Sequence, residues 1–422
     1  MKILVVGGGG REHAICWKLS QEKNVEKVYC APGNAGIVSV ADCLDIKDTE
    51  LDRLADFAEE NKIDLTVVGP EVPLVMGISD VFAKRGLRVF GPDASCSRLE
   101  GSKLFSKEFF VRHDIPTAKY KEYTDIDKAI EEIDSFGYPV VIKADGLAAG
   151  KGVVIPENRE DAIATLKMIM ADKKFGDAGN LVVVEEFLTG IETSILAFVD
   201  KNTIVPMESA KDHKKIFELE KGPNTGGMGT FSPSTIYTED LAKKVYDEVL
   251  IKSLKGFQAD GLDYRGILFV GLMITPNGER VLEYNCRFGD PETQSVLMRL
   301  ETDLSEIMLA ITEDRLADLD IKYTDDAAAC VVLASGGYPE DYEKGKLISG
   351  LEDVDDSIVV FHSGTKFDGD KIVTNGGRVL GVCSRGKDVE AAAKNVYKNI
   401  DKISFEGMHY RKDIGVDYEQ GK

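Results

Sequence analysis

Short apolar runs alternate with amphipathic segments along the first hundred residues of the chain. The runs predicted to form strands are residues 3–6, 27–30, 65–68 and 88–90. The segments with helical spacing of apolar residues are 11–20, 51–60 and 75–84. Strands that alternate with helices predict a parallel sheet covered by helices on both faces, with ligands at the carboxyl ends of its strands.

The central part of the chain has shorter and more mixed elements. After a helix-rich segment at 94–113, strands are predicted at 139–143, 153–155 and 181–188, and helices at 124–136 and 160–170. A long polar loop at 211–233 precedes a predicted helix at 239–257. The strands predicted at 267–274 and 280–286 form a hairpin with Asn277-Gly278 at its turn, and helices follow at 292–300 and 304–311. We expect a small α+β lid inserted in a larger domain.

Beyond residue 325 the pattern changes to short strands and turns. Strands are predicted at 328–334, 358–362, 371–373 and 378–383, before a last helix at 389–400. A chain of 422 residues is too long for one hydrophobic core, since domains hold about 100–200 residues. The predicted fold class is a multidomain α/β and α+β protein. Its expected parts are an N-terminal α/β domain at 1–103, a central domain at 104–326 with its lid at about 120–190, and a small mixed β domain at 327–422.

Acidic residues outnumber basic ones by 73 to 52, which gives a formal net charge of −21. A field of that sign repels nucleic acids and anionic membranes, so neither is expected as a partner. The 7 cysteines are far apart and form no Cys-x-x-Cys pair, which favours a reducing compartment over disulfides or a zinc site. The first apolar run is too short for a signal peptide, and no run reaches the roughly 20 residues of a membrane span. A cytoplasmic monomer is expected.

The most informative pattern is the alternation of polar and large apolar residues at 281–295. Glu283 and Asn285 stand two residues apart, so on a strand they present two oxygen ligands on one face. Such oxygens suit a hard cation such as Mg²⁺ (or Mn²⁺). Arg287 would add a planar, positively charged guanidinium beside the metal. A metal ion and a guanidinium side by side indicate phosphoryl transfer. The large apolar neighbours argue against a merely solvated strand edge.

The glycines at 7–10 open a predicted helix and suggest a dinucleotide fingerprint. That fingerprint needs a small residue where Glu12 stands and an acid at the end of the second strand, which is missing. A glycine turn at a helix start still offers backbone N–H groups to an anion, and Arg11 would add a charged donor. Two interpretations remain open, a phosphate site for a small substrate and a tight turn.

The glycine-rich segment 145–152 resembles a Walker loop only superficially. Its spacing is one residue short, and Gly152 replaces the Ser or Thr that binds magnesium. We expect a flexible hairpin tip whose amides and Lys151 fold over nucleotide phosphates. Lys143, at the end of an apolar strand, must either meet an anion or lie at the surface.

Two further segments are candidates for ligand contacts. The apolar strand at 182–188 ends in acidic residues and leads to Glu192. Adenine could form hydrogen bonds with the main chain of this strand, and Glu192 could accept hydrogen bonds from the ribose hydroxyls. The glycines at 222–229 are too dense for a connector and indicate backbone that approaches a ligand. His213, just before them, is expected to lie at the surface.

These segments together resemble the ATP-grasp ligases, and within that superfamily the family of phosphoribosylamine–glycine ligases. The resemblance covers nearly the whole chain, from GGGGREHA through APGNAG, EGSK, IKADGLAAGKGV, KDHK, GPNTGGMG and EYNCRFGDPETQ to TNGGRVLGV. The motifs GPNTGGMG and NCRFGDPETQ are highly specific, whereas the N-terminal glycines are not. The resemblance implies that ATP, glycine and 5-phosphoribosylamine give glycinamide ribonucleotide, ADP and phosphate, a step of purine biosynthesis. Glycyl phosphate would be the intermediate, and a lid would keep water from it.

The resemblance also implies roles for individual residues. The implied ATP-binding residues are Lys103, Lys143 and Lys151 at the phosphates and Glu185, Glu186, Leu188 and Glu192 at adenosine. The implied catalytic residues are Arg287, which stabilises the transferring groups, and Asp212, which pairs with the ammonium of glycine. The implied substrate contacts are Gly10, Arg11, Glu12, Glu71, Pro223, Asn224, Gly226 and Asp290, with Arg378 reaching the phosphate of the amine substrate. The implied metal ligands are Glu283 and Asn285.

One position departs from many ATP-grasp enzymes, which carry a second carboxylate ligand twelve residues before the position of Glu283. Here that position is Gly271. A second metal ion would therefore depend on shared ligands, phosphate oxygens and water.

Three other functions remain open at the level of sequence. Another ATP-grasp ligase could use a different acceptor, although Asp212 opposite an amino-acid ammonium favours glycine. An NAD-dependent oxidoreductase is disfavoured by the missing acid after the second strand, and a nicotinamide titration would decide. A nucleotide-sensing protein without catalysis is the third, and an Arg287→Ala variant that binds ATP but makes no product would argue against it.

Overall fold

The computed structural model describes residues 1–147 and 152–416. Its N-terminal part begins with β1 (Lys2–Gly7), α1 (Gly10–Leu19), β2 (Lys27–Pro32), β3 (Asp42–Cys43), α2 (Leu51–Glu60), β4 (Leu65–Val68), α3 (Glu71–Val75), α4 (Ile78–Lys84) and β5 (Val89–Phe90). Two helices follow, α5 (Ala94–Gly101) and α6 (Lys103–Arg112). The strands form one parallel sheet in the order β3–β2–β1–β4–β5. Ile3 and Val5 pack into one core and Leu4 and Val6 into another, so both faces of the sheet are covered as predicted.

The predicted lid is confirmed as a small sheet with helices on one side. Its elements are β6 (Tyr120–Tyr123), α7 (Ile126–Glu132), β7 (Val140–Ala144), β8 (Val153–Val154), α8 (Arg159–Leu166) and β9 (Val182–Glu186). The strands are antiparallel in the order β6–β9–β7–β8. Apolar residues of α7, α8, β7 and β9 share one core.

The central part carries the predicted hairpin. Its strands are β10 (Ile191–Val199), β11 (Ile204–Pro206), β12 (Lys211–Asp212), β13 (Lys215–Phe217), β14 (Lys221–Asn224), β15 (Gly229–Ser232), β16 (Gly266–Thr275) and β17 (Gly278–Asn285). Its helices are α9 (Glu239–Val245), joined by a π-helical turn at Tyr246–Leu250 to α10 (Ile251–Ala259), then α11 (Glu292–Arg299) and α12 (Leu304–Thr312). Antiparallel strands β11–β10–β16–β17 form its main sheet.

The C-terminal part is an antiparallel sheet with one covering helix. It contains β18 (Ala327–Ala334), β19 (Ile358–His362), β20 (Thr365–Asp368), β21 (Lys371–Thr374), β22 (Arg378–Gly386) and α13 (Val389–Ile400). The sheet has the order β12–β15–β18–β22–β19, so it takes two strands from the segment before residue 233. Val331, Val382 and Val396 lie in the core between sheet and helix.

Several details differ from the sequence predictions. The helix predicted at 75–84 is interrupted, because Gly77 adopts φ +85° between α3 and α4. The polar loop predicted at 211–233 contains four short strands, β12 to β15. Within the segment β13 pairs with β14 and β12 pairs with β15, and β15 also pairs with the distant β18. His213 is buried at 5% exposure instead of lying at the surface, since it sits between β12 and β13 and against Phe231.

Short 3-10 turns connect several of these elements, at Ile37–Ser39, Ile133–Phe136, Gly176–Asn180, Leu316–Asp318 and Leu351–Asp353. Over the described ranges 1–147 and 152–416, no helix has both the length and the apolar character needed to cross a membrane.

Candidate active site

The predicted metal-binding pair lies at the end of β17. Antiparallel pairing with β16 places Gly271 directly opposite Glu283, and Phe269 opposite Asn285. The register shifts at Gly271, which marks a bulge in the hairpin. The carbonyl of Leu282, within this bulge, accepts a hydrogen bond from Nζ of Lys143 at 3.2 Å. The lid strand β7 is thereby joined to the strand that carries the predicted metal ligands.

Cations surround the carboxylate of Glu283. Nζ of Lys103, at the start of α6, lies 3.5 Å from its Oε2. Burial alone would raise the pKa of Glu283, but the neighbouring cations, led by Lys103 and Lys214, outweigh burial and lower the pKa to about 2. Glu283 is therefore ionised at neutral pH and offers a full negative charge to a ligand.

A buried carboxylate connects two lysines beneath this site. Glu185 of β9 lies 2.8 Å from Nζ of Lys143 through Oε1 and 2.8 Å from Nζ of Lys107 through Oε2. Nζ of Lys107 also donates to Oγ1 of Thr117 at 2.8 Å, and that hydroxyl donates to the carbonyl of Val281 at 2.7 Å. Burial, with the nearby Lys143, lowers the pKa of Lys107 to about 8 although Glu185 acts in the opposite direction. Each oxygen of Glu185 thus forms an ion pair with one lysine, so the carboxylate orients both lysine side chains. The assignment of Glu185 to the adenosine pocket stays a prediction.

The guanidinium of Arg287 is held from several sides. Nη2 forms an ion pair with Oε1 of Glu100 at 3.0 Å and donates a hydrogen bond to Oδ1 of Asn285 at 3.3 Å, and Nη1 donates to the carbonyl of Phe288 at 3.1 Å. Nε lies 3.5 Å from Oε2 of Glu71, at the start of α3. Burial would lower the pKa of Arg287, but Glu100 and Glu71 raise it, so the fork keeps its charge.

A small cavity of about 70 Å³ lies at Ser194 of β10, which pairs with Gly271, the residue opposite Glu283. Three of the predicted site residues line it, Glu192, Asp212 and Asn224, together with Ser194, Lys214, Lys215 and Glu220. Nζ of Lys214 pairs with Oε1 of Glu192. Among the described residues, Oδ1 of Asp212 is buried and accepts no hydrogen bond. Burial and the neighbouring Glu292 raise the pKa of Asp212 well above its ordinary value, so a bound cation would be favoured here.

The glycine-rich segment 222–229 passes closely over Asp212 and Arg378. A Cβ on Gly227, which has φ +115°, would lie 2.8 Å from Oδ1 of Asp212 and 2.4 Å from Cδ of Pro291. Nη1 of Arg378 donates to the carbonyl of Gly226 at 2.6 Å. The backbone of this segment comes close to Asp212 and Pro291, and its predicted approach to a ligand stays a prediction. Only a residue without a side chain fits at position 227.

Arg378 comes from the C-terminal sheet and is fixed by the central part of the chain. Nη1 also donates to the carbonyl of Asp290 at 2.6 Å, and Nη2 lies 3.2 Å from its Oδ2. Burial would raise the pKa of Asp290, but Arg378 and Arg11 lower it. These contacts use both terminal nitrogens of the guanidinium and support a role in holding the segment 222–229, while its predicted contact with a substrate phosphate stays a prediction.

The N-terminal glycine turn meets the same region. Oε2 of Glu12 accepts the N–H of Gly9 at 2.6 Å, and Oε1 of Glu12 accepts Nε of Arg11 at 2.6 Å. A Cβ on Gly10 would lie 2.7 Å from Nε2 of Gln294 and 2.5 Å from Oγ of Ser363. The turn is thus tight and internally bonded, and it borders residues from all three parts of the chain.

The remaining predicted residues lie at the junction of lid and central sheet or beyond the described ranges. Glu186 ends β9, and its Oε1 accepts the N–H of Lys119 at 2.8 Å. Leu188 lies in the connection from β9 to β10, and Pro223 is exposed on β14. Lys151, predicted to close over the phosphates, lies outside the described residues.

The donors at the end of β17 fit one divalent ion. Glu283 is ionised, and within the described ranges Oδ1 of Asn285 accepts only the long bond from Arg287, so both side chains keep oxygen lone pairs for a ligand. Mg²⁺ is commonly held by one or two protein oxygens while phosphate oxygens and water complete its shell. Among residues 1–147 and 152–416, no three His, Cys, Asp or Glu side chains converge as a metal site. The arrangement therefore suits a metal ion that arrives with a polyphosphate.

Several contacts of this site had no assigned role at the level of sequence. Glu100, Lys107 and Lys214 belong to segments rich in other candidates, and Glu100 and Lys214 even fall within the quoted motifs EGSK and KDHK. The available signal was charge at apolar positions: Glu100 and Lys107 stand on helices among buried apolar residues. Such a charge must find a partner, but the sequence does not say which.

The site lies between a lid sheet and a central sheet, and lysines connect the lid to the carboxylate–amide pair and the arginine. This arrangement is typical of the ATP-grasp class. Residues 101–293 match the family described as phosphoribosylglycinamide synthetase, ATP-grasp (A) domain. Residues 1–100 match its N domain, and residues 328–417 match its C domain. The chain belongs to the phosphoribosylglycinamide synthetase family.

Similar proteins cover the chain from end to end. A phosphoribosylamine–glycine ligase of Caldanaerobacter subterraneus subsp. tengcongensis is 47% identical over 99% of this chain and 100% of its own length. The crystal structure of a phosphoribosylamine–glycine ligase from Thermotoga maritima is 33% identical, with a TM-score of 0.86 over 98% of this chain and 100% of that one. A biotin carboxylase from Campylobacter jejuni shares the fold at 14% identity, with a TM-score of 0.76 over 98% of this chain and 94% of its own.

Proposed function

We propose that the chain joins glycine to 5-phosphoribosylamine at the expense of ATP and releases glycinamide ribonucleotide, ADP and phosphate, as a step of purine biosynthesis. The observation that carries this proposal is Asp212, which lines the cavity and whose buried Oδ1 accepts no hydrogen bond within the described part of the chain. A carboxylate there is suited to the ammonium of an amino acid. The cavity of about 70 Å³ has room for a molecule as small as glycine.

In the first step, a carboxylate oxygen of glycine attacks the γ-phosphorus of ATP, and the bond to the bridging oxygen of ADP breaks. The product is glycyl phosphate. Lys103, Lys143 and Arg287 stabilise the negative charge on the transferring group, because all three lie around the end of β17. Mg²⁺ or Mn²⁺ bound by Glu283 and Asn285 would neutralise charge on the phosphate oxygens.

In the second step, the amine of phosphoribosylamine attacks the glycyl carbonyl carbon, the bond to phosphate breaks, and the nitrogen loses a proton. The amine substrate lies between the N-terminal turn and Asp290, in contact with Gly10, Arg11, Glu12 and Glu71. This position is supported by the proximity of that turn to Arg287 and Asp290. Pro223, Asn224 and Gly226 enclose glycine, and Arg378 holds their segment in place.

The lid gives this reaction its protection from water. Glycyl phosphate hydrolyses readily, so the site must be closed while it exists. Lys151 and the glycine-rich segment 145–152 belong to the proposed closure. Glu186, Leu188 and Glu192 lie at the junction of lid and central sheet, where we place adenosine.

The proposed partners are small molecules, namely ATP, glycine and 5-phosphoribosylamine. A cytoplasmic monomer is consistent with the acidic composition and the scattered cysteines. The net charge of −21 fits neither a nucleic-acid nor an anionic membrane partner.

The test is an omission assay with the purified protein. ADP formation is measured with ATP, Mg²⁺, glycine and phosphoribosylamine, and mass spectrometry detects glycinamide ribonucleotide. We expect one product molecule per ADP, and loss of product when any component is left out. ADP formation that requires formate or an aminoimidazole instead of the two substrates would assign the chain to a different acceptor.

A further inference from the structure

Glu100 is a buried carboxylate whose two oxygens serve two different parts of the site. Oε1 lies 3.0 Å from Nη2 of Arg287, and Oε2 accepts the N–H of Cys286 at 2.7 Å. Glu100 is 4% exposed and stands on α5, 186 residues away in sequence from Cys286. One side chain therefore fixes both the arginine fork and the main chain between Asn285 and Arg287.

The corner between α5 and α6 carries further contacts to the same site. Oγ of Ser102 donates to Oδ1 of Asp145 at 3.0 Å, which joins the corner to the end of β7. Nζ of Lys103 lies 3.5 Å from Glu283. Within five residues, 100–104, the corner thus contacts the arginine, the metal-binding pair and the lid.

The contacts of Arg287 within the protein leave some of its guanidinium N–H donors for a substrate. A guanidinium has five N–H donors. Two donate hydrogen bonds, to Oδ1 of Asn285 and to the carbonyl of Phe288, and Nη2 also forms an ion pair with Oε1 of Glu100 at 3.0 Å. Within the described part of the chain, Nε makes no hydrogen bond, although Glu71 lies 3.5 Å away. On the side away from Glu100, Nε and one N–H of Nη1 remain as donors, and their direction depends on how the ion pair with Glu100 holds Nη2.

We propose that Glu100 is a positioning residue that aims Arg287 at the transferring phosphoryl and acyl groups. This inference rests on the proposed ligase function. A displacement of about 1 Å at a catalytic group can cost on the order of 100-fold in rate, so a change at Glu100 affects turnover through Arg287. Glu100 itself touches no substrate.

The test compares Glu100→Gln and Glu100→Asp with wild type. Glutamine keeps the length but loses the charge, and aspartate keeps the charge but shortens the arm by one methylene group. We expect kcat to fall by roughly 10- to 100-fold in both variants. KM for ATP and for glycine, and the affinity for a non-hydrolysable ATP analogue, should stay within about threefold, because those ligands are held by other residues.

Leu99→Ala is the matched control for destabilisation. Leu99 precedes Glu100 on α5 and is 1% exposed, so its truncation weakens the same helix but leaves the carboxylate in place. Urea unfolding of all variants shows which are folded under assay conditions. We expect Leu99→Ala to lose stability and to keep kcat within about twofold.

Two outcomes would overturn the inference. The first is a folded Glu100→Gln or Glu100→Asp variant with kcat within twofold of wild type. The second is a loss of kcat in Leu99→Ala as large as in the Glu100 variants at equal stability. Failure of the proposed function is seen separately, since wild type itself would then form no glycinamide ribonucleotide in the same assay.

Discussion

Nζ of Lys143 lies 2.8 Å from Oε1 of Glu185, and both side chains are buried where the lid strands meet the strand of the metal-binding pair. The same carboxylate holds Lys107 on its other oxygen. Two buried cations thus share one anion, and one of them is a proposed ATP-binding lysine. The orientation of Lys143 depends on Glu185 as much as on its own strand.

Replacement of Glu185 should therefore reduce both stability and ATP affinity. In Glu185→Gln the two lysines lose their common counter-charge, which costs on the order of 3–5 kcal/mol for a buried pair that loses one partner. Urea unfolding measures the first effect, and titration with a non-hydrolysable ATP analogue measures the second. Glu186→Gln, on the same strand but partly exposed, is the control for stability alone and should change the free energy of unfolding by less than about 1 kcal/mol. Equal losses of stability in both variants would show that Glu185 has no special role in holding the two lysines.

Arg378 connects the C-terminal sheet to the glycine-rich segment 222–229, so its replacement should weaken the binding of glycine. Arg378→Met removes the bonds to the carbonyls of Gly226 and Asp290. Charged hydrogen bonds contribute about 1.5–3 kcal/mol, so we expect KM for glycine to rise by roughly 10-fold or more. Binding of an ATP analogue should be unchanged. Arg385→Met, an exposed arginine of the same strand β22, should leave KM for glycine within about twofold; a rise as large as that of Arg378→Met would contradict the account.

The affinity for glycine should decrease as the pH falls, and Asp212 should be the cause. Burial and Glu292 raise the pKa of Asp212 above the ordinary value near 4, and only the ionised carboxylate pairs with an ammonium group. KM for glycine in wild type should therefore rise on acidification, beginning at a pH above the ordinary aspartate range. Asp212→Asn should have a high KM without this dependence. A pH profile of the variant that is parallel to that of wild type would assign the titration to another group.

Acid should weaken the contact between the N-terminal and C-terminal parts. Nδ1 of His13 accepts the N–H of His362 at 2.8 Å, and burial, aided by His362, lowers the pKa of His13 from 6.5 to about 3. Below pH 6.5 the unfolded chain binds a proton at His13 that the folded chain does not bind until about pH 3, so stability is lost as the pH falls through this window.

His13→Asn should flatten that pH dependence, because asparagine can accept the same N–H without titrating. His362 and His213, whose pKa values burial lowers to about 4 and about 3, keep part of the slope. Urea unfolding at several pH values between 7.5 and 5.5 measures the difference. We expect the variant to lose about 1 kcal/mol less than wild type per pH unit below 6.5. Identical slopes would mean that His13 is protonated in the folded protein.

The sequence predicted those parts of the fold and of the site that follow from the residue pattern of a short segment. The apolar run at Ile3–Val6 and the spacing of Glu283 and Asn285 follow from strand periodicity within a few residues. Strands β12 and β15 were missed because they are short, and β15 owes its place to pairing with β18, a hundred residues later. His213 was expected at the surface for the same reason, since the strands that bury it were not foreseen.

Contacts of Glu100, Lys107 and Arg378 could not be derived from spacing, because each partner is brought close only by the tertiary fold. The division of the chain into domains after residues 103 and 326 stays a prediction. Strands from the central segment complete the C-terminal sheet, so that sheet does not begin at the second of these borders.

We propose that Glu283 and Asn285 hold the divalent ion that accompanies ATP in phosphoryl transfer. The test is the Mg²⁺ dependence of product formation by wild type and by the Glu283→Gln, Asn285→Ala double variant, at saturating ATP, glycine and phosphoribosylamine. We expect the variant, shown to be folded by its urea unfolding curve, to need roughly 10- to 100-fold more Mg²⁺ or to make no product. Unchanged turnover at limiting Mg²⁺ would contradict it.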